Sequence, residues 1–497
     1  MTKPESAIRS PKSAIIAILA VFTYFFGLWL PFFGPDEPRY AQVAREMFER
    51  GDWVTPTLGG FHWFEKPALL YWTQIASFNV FGISEFAARI GPALFGLATV
   101  AALWFIGKSV VQGNSIFAQR LAVIAASTLG ILVFSRGASF DITITFPVTA
   151  AMVCYFIFEG RSDEKGSTVP LVLFYVFVGV AVIAKGLIGI VFPYAIIAFY
   201  HVLRRRVPTN RLIVSLFWGT ALAVIVASTW YLPMYWRHGW EFIDEFFIQH
   251  HFQRYTSNKY QHPQPFYFYL WILPLIALPW TPFLLASIWK NAKAAIQRLR
   301  VHSDRDNSPI ADLTTFAFAW MLVPLVFFSF SGSKLPGYIL PAVPPAIILA
   351  SLYLHELAGK SRRWATAIPA LASAVFLVAI MLLLSAVPRF ADADSVSGLM
   401  RSAQERGYTG VPVYGLHTVV HSAEFYAAGH LLREPDGKQK RLYSPSEVEA
   451  EMRRAGAARC LVLVPPEYLK QLTESPIVRS EVIRNNGEWV IVGVSLN

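Results

Sequence analysis

The sequence predicts an α-helical polytopic membrane protein that ends in a small soluble α/β domain, and three observations support this prediction. Of the 497 residues, 55% are hydrophobic and 15% are charged, whereas soluble domains carry about 25% charged residues. Apolar runs of the length needed to cross a bilayer, roughly 20 residues, recur as far as Pro388. Beyond that residue the sequence becomes polar and strand-like. Two cysteines, Cys154 and Cys460, are too few for a disulfide framework or a cysteine-based metal site.

The apolar runs number eleven, and they predict about eleven to thirteen transmembrane helices. Several runs are short or adjacent, notably around Lys185. The first run follows Lys3, Arg9 and Lys12 without a small-residue cleavage site, which predicts a retained anchor rather than a signal peptide. The runs cover residues 13–33, 89–110, 119–135, 141–159, 168–184, 186–203, 210–232, 266–289, 313–331, 337–355 and 363–388.

The distribution of charge predicts how the chain crosses the membrane. One alternating set of segments holds 19 Lys and Arg against 8 acidic residues, while the other positions before residue 389 balance at 11 against 11. Because positively charged loops stay in the cytoplasm, the net charge of +11 indicates orientation rather than nucleic-acid binding. Eleven spans place residues 34–88, 233–265 and the C-terminal domain outside, whereas an even number places the tail inside.

Residues 389–497 carry 13 basic and 13 acidic residues, which is typical of a soluble domain. Short β-prone runs at Val411–Tyr414 and Cys460–Val464 predict strands. The stretch Ser446–Arg454 begins with a capping residue and acidic residues, which predicts a helix. Residues Val482–Val494 predict a hairpin. No catalytic motif occurs in this domain.

The first outer segment predicts a short amphipathic helix on the membrane interface. Tyr40, Val43 and Met47 recur at helical spacing, and charged residues occupy the other faces. Asp36 and Glu37 then lie where the first span meets this helix. Two interpretations stay open: the acids cap the helix and are stabilised by its dipole, or they serve catalysis or binding.

Ionisable residues also recur at the outer ends of the spans, at Arg89, Arg136, Asp141, Lys185 and Lys334. Charged groups at membrane depth are costly and usually face a cavity, although any single lysine can extend to the interface. Together they favour a shared cavity for an anionic substrate such as a lipid phosphate.

The second outer loop is rich in histidine and aromatic residues. His250, His251 and His262, with Glu65 or His62, predict a divalent metal site such as zinc. The alternative is hydrogen bonding to lipid headgroups or sugar. No nucleotide-binding loop occurs, so no nucleotide cofactor is expected, and a polyprenyl-phosphate sugar suits an enzyme that acts on the outer face.

Six segments together resemble bacterial GT-C glycosyltransferases, and most of all the lipid A 4-amino-4-deoxy-L-arabinose transferases, relatives of protein O-mannosyltransferases. The segments are Asp36–Ala41, Glu65–Pro67, Arg89–Pro92, Lys185–Gly186, His251–Tyr255 and Ser333–Pro341. The resemblance implies a GT-C transmembrane domain over residues 1–388 and a periplasmic α/β domain over residues 389–497. It also implies interfacial periplasmic helices and inverting transfer from undecaprenyl phosphate.

The resemblance implies roles for individual residues as well. Asp36 matches the acidic residue that the family treats as catalytic, and Asp141 matches a second acidic position. Glu65 with His250 or His251 matches positions that resemble zinc ligands. The substrate-binding candidates are Glu37, Arg39, Tyr40, Lys66, Arg89, Lys185, Arg254, Lys334 and Tyr338.

The resulting hypothesis is an inner-membrane enzyme that moves 4-amino-4-deoxy-L-arabinose, or a related sugar, from undecaprenyl phosphate to lipid A or another periplasmic acceptor. Its partners are that donor, the acceptor and membrane lipids, with no nucleic acid. The alternatives are a lipid or sugar transporter, a GT-C transferase for a protein or glycan acceptor, and an assembly protein. Transporters tend to place polar groups near the bilayer midplane, whereas these groups cluster on one side.

Overall fold

A computed structural model describes residues 11–110, 115–161, 167–253, 264–301 and 308–497. Helices dominate these ranges. Before the C-terminal region they are α1 (Pro11–Phe25), α2 (Asp36–Arg50), α3 (Leu69–Phe81), α4 (Glu85–Val110), α5 (Ser115–Ala126), α6 (Leu129–Phe134), α7 (Phe140–Glu159), α8 (Thr168–Lys185), α9 (Ile188–Arg204), α10 (Asn210–Phe242, continued by a π-helical stretch Ile243–Gln253), α11 (Phe268–Ile276), α12 (Thr281–Val301), α13 (Pro309–Ser329), α14 (Val343–Lys360, preceded by a 3₁₀ turn Pro336–Ala342) and α15 (Arg362–Leu384).

The described helices confirm a multi-pass α-helical membrane protein. Seven helices within these ranges are long and apolar enough to cross a bilayer, and a bent pair of helices adds an eighth candidate. Three shorter apolar helices, Ala14–Phe25, Ser115–Ala126 and Ile188–Arg204, accompany them. The seven are Glu85–Val110, Phe140–Glu159, Thr168–Lys185, Asn210–His250, Pro309–Ser329, Pro336–Lys360 and Arg362–Leu384.

Three predicted spans differ in detail from the helices observed. The run 13–33 is helical only to Phe25, and the run 119–135 divides into α5 and α6. The run 266–289 is broken: α11 and α12 meet at an angle of 120°. Pro279 lies in that break and lacks the N–H that a continuous helix needs.

The chain divides into two compact units that do not follow the sequence order. The first unit takes its residues from 1–26, 65–70 and 91–380, and the second takes 27–64, 71–90 and 381–497. The first unit packs its helices around one continuous apolar core that includes Tyr155, Phe316 and Trp320. The second unit therefore combines two stretches from the N-terminal fifth of the chain with the C-terminal region.

The C-terminal region is the α/β domain that its sequence predicts. Its helices are α16 (Ala386–Asp394), α17 (Ser397–Glu405), α18 (Ala423–Tyr426), α19 (Pro445–Arg454) and α20 (Leu469–Thr473). Its strands are β3 (Val413–Leu416), β4 (Arg441–Leu442), β5 (Arg459–Val464), β6 (Val478–Asn485) and β7 (Val490–Leu496), after a small hairpin β1 (Thr57–Leu58) and β2 (Phe61–His62) in the same unit.

The five strands form one mixed sheet in the order β4-β3-β5-β7-β6. The strand β3 pairs in parallel with β4 and β5, and β7 pairs antiparallel with β5 and β6. Consecutive strand residues such as Leu461 and Val462 join different apolar clusters, on opposite faces of the sheet. The predicted hairpin is confirmed. The helix cap is Ser444 rather than Ser446, because Pro445 occupies the first helical position.

Candidate active site

The helix α2 carries the Asp36 segment, and its sequence explains where it begins and ends. Tyr40, Val43 and Met47 are buried at helical spacing, as predicted. The helix ends at Gly51, which adopts the left-handed conformation (φ +65°) that glycine allows. At its start Pro35 is the N-cap and provides no side-chain cap bond, so Asp36 occupies the first helical turn. An acidic residue is favourable there because the helix N-terminus carries partial positive charge.

Asp36 and Glu37 are neighbours in sequence but have different surroundings. Asp36 is exposed, and in the described ranges its carboxylate makes no hydrogen bond or ion pair. The Glu37 carboxylate instead accepts two hydrogen bonds from Arg89, at 2.7 Å from Nη2 and 3.1 Å from Nε. Of the two, Asp36 is therefore the carboxylate that is accessible to a substrate.

Arg89 organises the chain that leads into α2. Its side chain is 3% exposed, and its guanidinium lies 4.7 Å from the centre of the Phe32 ring. It donates to the carbonyls of Leu28, Leu30 and Pro31 in addition to Glu37. These bonds occupy all three guanidinium nitrogens. The predicted substrate contact of Arg89 stays a prediction, while its observed contacts are structural.

Arg39 and Tyr40 occupy different faces of α2. The Arg39 guanidinium lies over the Trp63 ring, 5.6 Å from its centre, and Tyr40 is buried. Glu46, which the sequence did not identify as important, accepts backbone hydrogen bonds from Gly59 at 2.6 Å and Gly60 at 3.1 Å. It thereby ties the turn between β1 and β2 to α2.

In the first unit Asp141, Lys185 and Tyr338 form a second cluster, here called the Lys185 cluster. Ser139 caps α7 by accepting a hydrogen bond from the Asp141 backbone N–H at 3.1 Å. Lys185, the last residue of α8, donates to the Asp141 carboxylate, and both side chains are largely buried. The Lys185 ammonium also lies 4.9 Å from the centre of the Tyr338 ring, within cation–π range.

Two residues that sequence reasoning missed shape this cluster. A Cβ atom at Gly337 would collide with the Asp141 carboxylate, so the position requires glycine as the cluster stands. Tyr269 donates from its hydroxyl to the Leu335 carbonyl at 3.1 Å and fixes the turn that carries Tyr338. The Gly-Tyr pair after Pro336 was the available signal in the sequence, but it does not reveal that Asp141 is the carboxylate beside it.

Lys334 is enclosed rather than presented. It is 6% exposed, and its ammonium donates to the carbonyls of Ser331 at 2.6 Å and Gln264 at 3.0 Å. These bonds hold the loop between α13 and the turn at Pro336. A contact between Lys334 and substrate phosphate stays a prediction.

The predicted metal site gains no support from the residues that the structure describes. Glu65 accepts from Lys66 at 2.9 Å, and His250 has its Nε2 atom 3.9 Å from the Glu245 carboxylate. Within the described ranges, no three His, Cys, Asp or Glu side chains come together in a way that could hold a metal ion. The predicted zinc site at Glu65 and His250 is therefore not supported. The His251 side chain and all of Arg254 lie outside the described residues.

Comparisons with known proteins identify the family to which the chain belongs. The family model for dolichyl-phosphate-mannose-protein mannosyltransferases matches residues 15–244, a stretch that includes Asp36, Lys66, Asp141 and Lys185. A relative from Aeromonas hydrophila, an undecaprenyl phosphate-α-4-amino-4-deoxy-L-arabinose arabinosyl transferase, is 30% identical over 400 residues, which cover 77% of this chain and 67% of the relative. The chain belongs to this GT-C glycosyltransferase family.

Further relatives of the same name come from Yersinia enterocolitica and Serratia proteamaculans. They are 31% and 30% identical over 360 and 357 residues. The match covers 71% and 70% of this chain but only 61% and 60% of those relatives, so the chain spans under two thirds of their length.

Solved structures show the same fold. A crystal structure of ArnT from Cupriavidus metallidurans bound to undecaprenyl phosphate matches with a TM-score of 0.75 and 21% identity, over 97% of both chains. The same protein in its apo state matches with a TM-score of 0.76 and 22% identity. The predicted GT-C fold is therefore confirmed.

Proposed function

We propose that this protein is an inner-membrane glycosyltransferase with its active site on the periplasmic face. It moves 4-amino-4-deoxy-L-arabinose, or a closely related sugar, from undecaprenyl phosphate to lipid A or another acceptor, with inversion. The observation that supports the proposal most is the 400-residue similarity to a relative named for that donor sugar. The whole-chain likeness to ArnT supports the fold that such a reaction uses.

The chemistry requires cations for the leaving group. When the bond between the anomeric carbon and the phosphate oxygen breaks, negative charge develops on undecaprenyl phosphate, and fixed cations lower the energy of that transition state. Lys185 suits this role because Asp141 and Tyr338 hold its ammonium in place. Lys66 is a further candidate, held beside Glu65.

Asp36 suits a role at the acceptor or the sugar. With a hydroxyl acceptor, the carboxylate takes the proton as the oxygen attacks, which is general-base catalysis. With a lipid A phosphate, which is already ionised, no proton needs to be removed. Asp36 then pairs with the ammonium of the aminosugar and orients it for attack from the face opposite the leaving phosphate.

The test is an assay with the purified protein in lipid nanodiscs, supplied with undecaprenyl-phosphate aminoarabinose and lipid A. The proposal predicts release of undecaprenyl phosphate and a lipid A species heavier by one aminopentose, measured by mass spectrometry. An undecaprenyl-phosphate mannose donor tests the choice of sugar. Wild-type protein without acceptor and the Asp36→Asn variant are the controls.

The outcomes separate the alternatives. The mannosyltransferase family model favours one of them, a protein acceptor, so a Ser/Thr-rich peptide is tested beside lipid A. Transfer to the peptide alone would overturn the lipid A assignment but keep the enzyme class. Movement of donor across a vesicle membrane without release of undecaprenyl phosphate would indicate a transporter and overturn the proposal.

A further inference from the structure

We propose that Asp394 and Tyr426 of the C-terminal domain are positioning residues that set the backbone leading into Asp36. This inference rests on the proposed function, because it assumes that Asp36 acts on the donor or the acceptor. It gives the C-terminal domain, which lacks a catalytic motif of its own, a defined part in transfer. All the residues concerned belong to the second compact unit.

The segment just before α2 has no regular secondary structure, and the C-terminal domain binds its backbone N–H groups. The Phe32 N–H donates to the Tyr426 hydroxyl at 2.8 Å. The Gly34 N–H donates to the Asp394 carboxylate at 2.6 Å. Gly34 adopts a left-handed conformation (φ +70°), so a hydrogen bond at this residue helps to fix an unusual bend two positions before Asp36.

Tyr426 is itself held from two sides. Its hydroxyl donates to the Glu85 carboxylate at 2.8 Å while accepting from Phe32. Burial, and next the charge of Glu85, raise the pKa of Tyr426, so the hydroxyl keeps the proton it donates. The neighbouring Phe425 ring packs edge-on against Phe32 with centres 4.9 Å apart. The start of α2 is thus bound through both polar and apolar contacts.

Asp394 is oriented by the edge of the β-sheet. It is the last residue of α16, where helical carbonyls lack partners within the helix. The Asn486 amide, in the turn between β6 and β7, donates to the carbonyls of Asp392, Ala393 and Ser395 at 3.0–3.2 Å. The β6–β7 turn therefore fixes the end of α16, and Asp394 at that end holds Gly34 through a hydrogen bond.

These contacts bear on catalysis because a reacting group must be placed accurately. A displacement of about 1 Å can cost about a hundredfold in rate. The exposed Asp36 carboxylate makes no bond of its own in the described ranges, so its position depends on the backbone beneath it. The two bonds from the C-terminal domain hold that backbone.

The test compares variants of the full-length protein in nanodiscs by kcat, KM for donor, and Tm. Asp394→Ala removes the acceptor for Gly34, and we expect kcat to fall about tenfold or more with a small change in KM. Asp394→Asn keeps an acceptor oxygen and should retain most of the activity. Tyr426→Phe removes both hydroxyl bonds and should resemble Asp394→Ala.

A matched control separates positioning from stability. Val492→Ala leaves a cavity in the sheet core. It should lower Tm about as much as Asp394→Ala does, but it should leave kcat near the wild-type value. Three outcomes would overturn the inference. Asp394→Ala could keep the wild-type kcat, or Asp394→Ala and Asp394→Asn could lose kcat equally. The third is a fall in the kcat of Val492→Ala in proportion to its fall in Tm. If Asp36→Asn is fully active, the proposed role of Asp36 has failed, which is a different result.

Discussion

The two carboxylates proposed for catalysis, Asp36 and Asp141, lie in opposite kinds of environment. Asp36 is exposed at the start of α2, and within the described ranges its carboxylate makes no hydrogen bond or ion pair. Asp141 is largely buried, accepts from Lys185, and lies against a glycine that leaves it room. Because the Asp141 carboxylate is already bound to Lys185, it is less accessible to a substrate than Asp36. The difference supports the proposed role of Asp36 as the reacting carboxylate and leaves Asp141 to hold the Lys185 ammonium in place.

The largest effect is expected from Asp36→Asn. With a hydroxyl acceptor the variant loses its general base, which costs about a hundred- to ten-thousandfold in rate, and with a phosphate acceptor it loses the partner that orients the aminosugar. Tm should stay unchanged because the side chain is exposed. Turnover is measured as released undecaprenyl phosphate. Glu49→Gln, which removes an exposed carboxylate from the same helix, is the matched control and should be fully active. Wild-type turnover in Asp36→Asn would contradict the assignment.

Lys185→Met should lower both turnover and stability. Removing one partner from a buried ion pair costs about 3 kcal/mol, because the Asp141 carboxylate then lacks its cation. Adding Asp141→Asn to this variant removes the stranded charge and should restore much of the Tm without restoring turnover. Restored turnover in the double variant would show that the pair serves stability alone.

A smaller loss is expected from Gly337→Ala. The added Cβ would collide with the Asp141 carboxylate, so the Lys185 cluster has to shift, and we expect about a tenfold loss of kcat. Gly359→Ala is the matched control because nothing lies within 4 Å of its Cβ position. In that variant, turnover should be unchanged. Equal behaviour of the two variants would argue against a geometric role for Gly337.

The smallest effect on turnover is expected from Lys334→Met, although this variant should be clearly less stable than the wild type. Two charge-assisted hydrogen bonds to Ser331 and Gln264 are lost, each worth about 1.5–3 kcal/mol. Tm should therefore fall, while kcat falls far less than in Lys185→Met. A Lys334→Met variant with normal Tm and a strongly raised donor KM would instead support phosphate binding by Lys334.

Local patterns in the sequence were sufficient to predict most helices and strands. The apolar spacing of Tyr40, Val43 and Met47 predicted α2, and all three are buried. The β6–β7 hairpin followed from β-prone runs on either side of an Asn-Gly turn. These features depend on neighbours in the chain, so the sequence carries them directly. The break at Pro279 was missed because hydropathy averages over it.

The contacts that define the site depend on partners far apart in the chain. Asp141 and Lys185 are 44 positions apart, and Gly34 and Asp394 are 360 apart. The periodicity of apolar residues gives no information about contacts between residues so far apart in the chain. Arg89 shows the consequence: its position at a span end does not reveal that its guanidinium binds Glu37 and backbone carbonyls. Only the fold shows that a charged residue is already engaged.

The 120° bend between α11 and α12 makes α11 depend on neighbouring helices for its place in the first unit. With nine residues at about 1.5 Å each, α11 is roughly 14 Å long, half of a 30 Å bilayer core. Its end is completed by partners elsewhere: the Leu278 carbonyl accepts from the Leu129 N–H at 2.8 Å, and Trp280 donates to Ser127 at 3.2 Å. Because α11 alone is too short to span the bilayer, its position in the first unit depends on these contacts with Ser127 and Leu129, at the junction of α5 and α6.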